Sequence, residues 1–323
     1  MKRFVFLILT LPIYSVQYPV PPPPAEPRPW FTGPLLSPPA NVIPVGHVNI
    51  EPYIYAVCVN GFYESDGDSV TTPNFWTNFF QVLIEPGITS WMDFQITPTL
   101  FYNVAQGESS WVFGDLSAGF NFQLLTDPYI DKNWAPGLKL SLRETFPTGT
   151  YQNLDPSKHR TQLGGQGAYI STINLVLSKS IHLHRYYYFN TYLSFAYNLP
   201  ISKSVQGFNF YGGGFKTKGK YHLGQNFTAD LAFECNLSRN WVYTMDIVYS
   251  YSLNSRFQGV LGTDSVGNPA IFAQGSSSQL SLAPALEYNW NQSMGLVAGC
   301  WFTAAGKLSN RFISGVVAFN YYK

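Results

Sequence analysis

The stretch Asp115-Leu116-Ser117-Ala118-Gly119-Phe120-Asn121-Phe122-Gln123-Leu124 alternates, residue by residue, between polar or small side chains and mostly apolar ones. Successive side chains of a strand point to opposite faces, so Leu116, Ala118, Phe120, Phe122 and Leu124 share one face and Asp115, Ser117, Gly119, Asn121 and Gln123 the other. The period returns less cleanly further on, where Trp241, Tyr243, Met245, Ile247 and Tyr249 oppose Val242, Thr244, Asp246, Val248 and Ser250. Two kinds of sheet accept this pattern: a soluble sandwich or lectin with its apolar face inward, and a membrane barrel with its apolar face toward lipid.

Composition favours the barrel. Only 11% of residues are charged and 17% are aromatic, whereas soluble domains carry about a quarter charged residues. Beyond the first twenty residues no run approaches the roughly 18 apolar residues of a spanning helix, and mean hydropathy is -0.04. In hydrocarbon every backbone N–H and C=O must be paired within the protein, which leaves a closed sheet as the alternative to helices.

Working outward, twelve strands of about 10 to 15 residues are predicted at Gly46–Asn60, Phe75–Gly87, Trp91–Asn103, Trp111–Leu125, Pro136–Pro147, Gln166–Ile181, Tyr186–Asn198, Lys218–Asn236, Asn240–Asn254, Ser277–Tyr288, Met294–Ala304 and Arg311–Tyr322. Their connections alternate in length, as the periplasmic turns and outer loops of bacterial barrels do. Ile88–Ser90, His182–Arg185, Leu237–Arg239 and Asn289–Ser293 are turns, while the first, fifth, seventh and ninth connections are long and polar; Thr126–Ala135 is the exception among the short ones. A sandwich gives no reason for that alternation. Trp91, Trp134, Tyr186 to Tyr188, Trp241 and Trp290 gather at the turn side, and Phe75, Trp76, Tyr102, Trp111, Phe146, Tyr197 and Phe312 at the other, as two interfacial girdles would. The fold class is therefore all-β: an antiparallel up-and-down transmembrane barrel over 46–323.

Ahead of it, Lys2 and Arg3 precede the apolar run Phe4–Leu11 and Pro12, the layout of a signal peptide over 1–18 with cleavage between Ser15 and Ala25. A buried first strand fits Pro12 and the basic head badly. Residues 19–45 are dominated by proline and are predicted as an extended periplasmic leader, or a polyproline ligand for another protein. Cys58, Cys235 and Cys300 are widely spaced and odd in number, forming neither a disulfide framework nor a metal motif.

Trp30-Phe-Thr-Gly-Pro-Leu-Leu, with Pro44-Val-Gly-His-Val-Asn-Ile-Glu-Pro-Tyr, Gly114-Asp-Leu-Ser and Phe146-Pro-Thr-Gly, resembles the outer-membrane family labelled for the MetA pathway of phenol degradation. The resemblance spans Trp30 to the end in layout and implies a transporter-like barrel in the outer membrane of a Gram-negative cell, associated with uptake of small hydrophobic compounds. It brings no catalytic residue. The chain ends in Lys323 after Tyr321 and Tyr322, whereas barrel assembly signals finish on the aromatic.

The predicted lumen face collects Glu51, Glu85, Asp93, Asp115, Asp230, Glu234, Asp246 and Glu287 against Lys139 and Arg143. An excess of one sign in a low-dielectric wall concentrates counter-ions, so a conducting lumen favours cations. Alternatively Lys139 and Arg143 bridge carboxylates and close the interior. Barrel enzymes exist, but the five histidines, His47, His159, His182, His184 and His222, fall in turns, loops or strand ends, and no Gly-x-Ser-x-Gly elbow or zinc-helix spacing is present. No enzyme, catalytic residue, cofactor or metal is expected. Lys216, Lys218 and Lys220 project one way at period two, either as a solvated rim or as contacts to lipopolysaccharide phosphates. A net charge of +1 without a basic stripe gives no footprint for nucleic acid. The expected function is a passive, porin-like channel or uptake protein for small hydrophobic or cationic molecules. The alternative is a non-conducting anchor whose loops 148–165, 199–217 and 255–276 bind a ligand or partner.

Overall fold

The computed structural model describes residues 29–128, 134–184, 187–273 and 275–323. The signal peptide and the leader up to residue 28, and Tyr186 of the turn-side girdle, lie outside the described residues. The strands are β1 (Val48–Tyr63), β2 (Ser69–Pro86), β3 (Met92–Thr97), β4 (Thr99–Ala105), β5 (Glu108–Phe113), β6 (Leu116–Leu125), β7 (Gly137–Phe146), β8 (Ile170–His184), β9 (Tyr187–Pro200), β10 (Lys203–Gln206), β11 (Lys218–His222), β12 (Asn226–Asn236), β13 (Trp241–Val260), β14 (Gly275–Asn291), β15 (Met294–Lys307) and β16 (Ser309–Tyr322). Antiparallel pairing runs from neighbour to neighbour, and β1 pairs with both β2 and β16, so the sheet closes into a barrel of twelve strands.

Each predicted strand corresponds to one barrel strand. Three are interrupted for local reasons. Pro98 has no N–H to give the ladder, and there β3 hands over to β4, with Val82 N–H donating to the Pro98 carbonyl at 3.2 Å. Gly114 and Asp115 separate β5 from β6, and residues 223–225 separate β11 from β12. β10 is additional: it pairs with β11 in the outer loops, beyond the barrel.

Among the described residues the short connections are 87–91, 237–240 and 292–293, and the long ones include 147–169, 201–217 and 261–273. The first connection is corrected. It is expected to be long, but β1 and β2 stay paired out to Tyr63 and Ser69, so it reduces to a tight turn over 64–68. Pairing continues because those strand ends stand in water, where polar outward residues such as Thr71 cost nothing.

Outward positions of the middle wall are apolar and exposed: Ile54, Phe120, Leu142, Ile173, Leu231 and Leu286. Trp91, Tyr187, Trp241 and Trp290 are exposed on the turn rim, and Trp76, Trp111, Phe146 and Tyr197 on the loop rim. An apolar belt between two aromatic girdles is what a barrel presents to a bilayer. Inward positions of the same strands, Asn121, Ser141, Asn174, Asp230 and Thr244, are buried.

Candidate functional site: an acidic lumen holding the N-terminal strap

The chain from Pro29 enters the barrel from the turn side before β1 begins. The leader expectation is corrected for 29–43: these residues form a strap inside the lumen, with Gly33, Pro34, Leu35, Ser37, Ala40 and Val42 buried. The physical reason is backbone satisfaction. Pro34, Pro38 and Pro39 have no N–H, and N–H groups between and beside them find acceptors on the wall.

Thr32 N–H donates to Glu287, and Thr32 Oγ1 to Asn289 Oδ1 at 2.7 Å. Gly33 N–H reaches Glu234 Oε1 at 3.1 Å. The successive amides of Leu35, Leu36 and Ser37 converge on Asp246, at 3.2, 3.3 and 2.9 Å. The strap then crosses the lumen, where Val42 N–H meets Gln123 Oε1 and Ile43 N–H meets Asp93 Oδ2, both at 2.8 Å. Asp246 lies five residues in from Trp241 at the turn rim, roughly 12 Å deep for a strand tilted as in such barrels.

Apolar contact adds a second hold. Leu35 is fully buried against Tyr55, Ala283, Ala285, Val297, Val316 and Ala318, a burial worth about 1.5–3 kcal/mol. Two wall glycines make room. A Cβ on Gly87 would lie 2.0 Å from the Pro44 carbonyl oxygen, and one on Gly295 would lie 2.2 Å from Thr32 Oγ1. At the rim Arg239 stacks over the Trp30 ring at 4.4 Å.

The remaining candidates separate by depth. Glu51 accepts from Tyr53 Oη at 3.1 Å and Asn320 Nδ2 at 2.5 Å, and Glu85 accepts from Asn49 Nδ2 at 3.2 Å. Glu234 also takes Asn190 Nδ2 at 3.1 Å and Tyr192 Oη at 2.6 Å. Asp230 Oδ1 and Glu287 Oε2 are buried without a protein partner. Asp115 sits apart, at the loop end, holding Gly149 N–H at 2.9 Å and Gln166 N–H at 2.7 Å; it fastens the 147–169 loop.

Lys139 and Arg143 are inward-facing on β7, but neither comes within 4.0 Å of a lumen carboxylate among the described residues. The alternative in which Lys139 and Arg143 bridge lumen carboxylates directly is not formed among the described residues. With the Gln95 amide turned so that both of its ends are satisfied, its oxygen accepts from Arg143 Nη1 at 3.2 Å and its nitrogen donates to Glu85 Oε1 at 3.3 Å, so an amide stands between cation and acid. The direct ion pair on the turn side is one the sequence reading missed: Lys179 to Asp127 at 2.5 Å. It pins the long fourth connection, with Ser180 N–H also donating to Asp127 at 2.9 Å. A cavity of ≈ 310 Å³ lies between the strap and this wall, lined by Phe31, Gly33, Lys179, Tyr188, Asn190 and Tyr192 among others.

Over the loop end, the long connections form a cap with its own core of Val205, Tyr211, Tyr221 and Phe272. The 147–169 loop packs on β5, with Ser110 Oγ 2.9 Å from Thr161 Oγ1 and Lys158 Nζ donating to Glu108 at 2.6 Å, and on β4, where Asn103 Nδ2 donates to the carbonyls of Thr161 and Leu163 at 2.9 and 2.8 Å. Lys216, Lys218 and Lys220 are exposed on this cap. Among the described residues no cluster of His, Cys, Asp or Glu could hold a metal. The strap contacts were missed by sequence reading, and one signal was available: 29–46 contains no charged residue, yet holds the adjacent pair Leu35 and Leu36 among its prolines.

No family model matches the sequence, and no curated protein matches it. Among solved structures the chain is similar to the COG4313 outer membrane channel from Pseudomonas putida F1, at 11% identity and TM-score 0.64, covering 88% of this chain and 98% of that one. Looser likenesses, both at 11% identity and TM-score 0.44, are the translocator domain of the autotransporter NalP from Neisseria meningitidis, covering 85% of this chain and 88% of that one, and the β domain of the Bordetella autotransporter BrkA, covering 84% and 98%. The fold shared with the COG4313 channel is that of a closed antiparallel β-barrel of twelve strands. The resemblance to the phenol-degradation family remains one of motifs.

Proposed function

We propose that the protein is a channel for uptake of small solutes across the outer membrane, selective for cations. The observation that supports this is the lumen wall: buried carboxylates at Glu51, Glu85, Asp93, Asp230, Glu234, Asp246 and Glu287 face Lys139 and Arg143, neither of which is in direct contact with an acid among the described residues, while Lys179 is paired with Asp127. Such a wall lowers the energy of a passing cation and raises that of an anion. Small hydrophobic compounds, which the family resemblance implies, fit this interior less well because its inward positions are largely polar.

A second reading has its own support. The ordered outer cap leaves Phe215, Leu261, Val266 and Ile271 exposed beside Lys216 and Lys218, a surface suited to a ligand, a partner or lipopolysaccharide on a non-conducting barrel. Neither reading assigns an enzymatic step. Planar-bilayer recording in a salt gradient separates them. Unitary steps with a reversal potential on the cation side are expected; an anion-side potential would overturn the selectivity. Silence from folded protein, in wild type and in a variant whose strap is expelled, would leave the surface reading.

A further inference from the structure

We infer that the strap is a removable plug whose N–H groups stand in for the solute: a cation carrying several N–H donors, an ammonium or guanidinium, takes the same carboxylates when the strap withdraws. The inference rests on the channel reading and adds to it a gate and a solute class.

The acceptors come first. Glu234 on β12, Asp246 on β13 and Glu287 on β14 belong to three successive strands of the wall, and each accepts N–H groups from the strap within Thr32–Ser37. What the strap supplies is dipoles without charge, because 29–46 contains no Lys, Arg, Asp or Glu. The carboxylates are therefore solvated by the strap and not neutralised by it. Asp230 is 7% exposed and Glu287 fully buried, and each keeps one oxygen that no protein donor reaches. A planar guanidinium or an ammonium offers both things missing here, donors for the orphan oxygens and a compensating charge.

The strap is also built to leave. The barrel is closed by β1 pairing with β2 and β16, so no strand pairing depends on the strap. Its hold consists of hydrogen bonds to wall side chains in both directions, including Gln123 Nε2 to the Ala40 carbonyl at 2.8 Å and Asn289 Nδ2 to the Trp30 carbonyl at 3.0 Å, one backbone bond from Trp30 N–H to the Arg239 carbonyl at 3.4 Å, the buried side chains of Leu35, Ala40 and Val42, and the Arg239 stack at the rim. The ≈ 310 Å³ cavity beside it gives the segment space to shift before it withdraws.

The test uses the full chain with Cys58, Cys235 and Cys300 replaced by alanine. A Thr32→Cys, Asn289→Cys pair would lock the strap by a disulfide, since those side chains already meet at 2.7 Å. Leu35→Asp would expel it by placing a carboxylate in an apolar site beside Asp246, and Gly295→Val would do so by occupying the place of Thr32; heat-dependent gel mobility shows that each form is folded. In planar bilayers the oxidised lock is expected to be silent, and reduction to restore steps. The expelled forms should be open at least tenfold more of the time than wild type and pass methylguanidinium at least fivefold better than tetramethylammonium, a cation without N–H donors. Equal conductance of the oxidised lock and the expelled forms would overturn the plug. Conducting expelled forms that do not distinguish the two cations would overturn the solute class. Silence of every folded form would remove the channel reading itself.

Discussion

The backbone N–H of Leu35 donates to Asp246 Oδ2 at 3.2 Å, joining positions 211 residues apart in the chain. With Leu36 and Ser37 donating to the other oxygen, the arrangement is an anion-binding nest of successive amides, closed around a fixed carboxylate. Asp246→Ala removes the acceptor of all three. Hydrogen bonds to charged groups are worth about 1.5–3 kcal/mol each, so amide exchange at Leu36 and Ser37 should quicken by roughly ten- to a hundredfold, as every 1.4 kcal/mol is tenfold. Amides of β13 and β14 should be unchanged, and exchange at Leu36 as slow as in wild type would remove Asp246 as the anchor.

Neighbours in β13 should answer oppositely to a change of charge. Asp246 is fully buried in the lumen, while Ile247 belongs to the outward set. Ile247→Arg puts a cation toward mid-membrane lipid at a cost of about 2–4 kcal/mol. Asp246→Asn keeps one oxygen acceptor for the strap and introduces no charge to lipid. Urea titration of the protein refolded into liposomes should show the loss in the first variant only; equal tolerance of both would mean that the faces are assigned the wrong way round.

Orientation is tested from outside the cell. Val266 and Ile271 stand on the long-loop side, and Ser90 and Leu237 at the short turns, all exposed. With native cysteines replaced, a membrane-impermeant thiol reagent on whole cells should label Val266→Cys and Ile271→Cys only. Labelling of Leu237→Cys would reverse the barrel in its membrane.

The outer cap carries an acid-sensitive element. Asp155 accepts the Ser157 hydroxyl at 2.7 Å and its N–H at 2.9 Å, capping the short turn Pro156–Lys158. These hydrogen bonds from Ser157 hold the carboxyl below its ordinary value. A depressed pKa means that the stabilisation is present above the unfolded value of about 3.9 and is lost as pH falls through the folded one. Lys158 is shifted the other way, upward, first by its hydrogen bond to Glu108 at 2.6 Å. Its contribution is complete below about pH 10.4 and lost at higher pH. Protease sensitivity of the 147–169 loop should therefore rise at both extremes, with Asp155→Ala abolishing the acid limb; an unchanged acid limb in that variant would discard the cap.

Much of the barrel was legible because its determinants are local. Phe120 and Asn121 differ in polarity at a spacing that only a strand converts into two faces, and the short turns after Gly87 and Asn236 read directly as turn residues between such strands. The interruption at Pro98 follows from one missing donor. The extra length of β1 and β2 was not legible, because beyond the membrane belt the solvent imposes no alternation to read.

The strap belongs to the other kind of information. Sequence alone determined that 29–46 has too many prolines for a ladder, and that Glu234, Asp246 and Glu287 face the lumen. Only the tertiary structure decided that the one is the partner of the others. A carboxylate buried in a barrel needs donors and a proline-rich backbone needs acceptors, but the contacts that join Thr32–Ser37 to Glu234, Asp246 and Glu287 span 201 to 255 positions, where chain spacing carries no trace of which donor meets which oxygen. The same holds for Gly87 and Gly295. Their lack of a side chain has meaning only once Pro44 and Thr32 are known to pass against them.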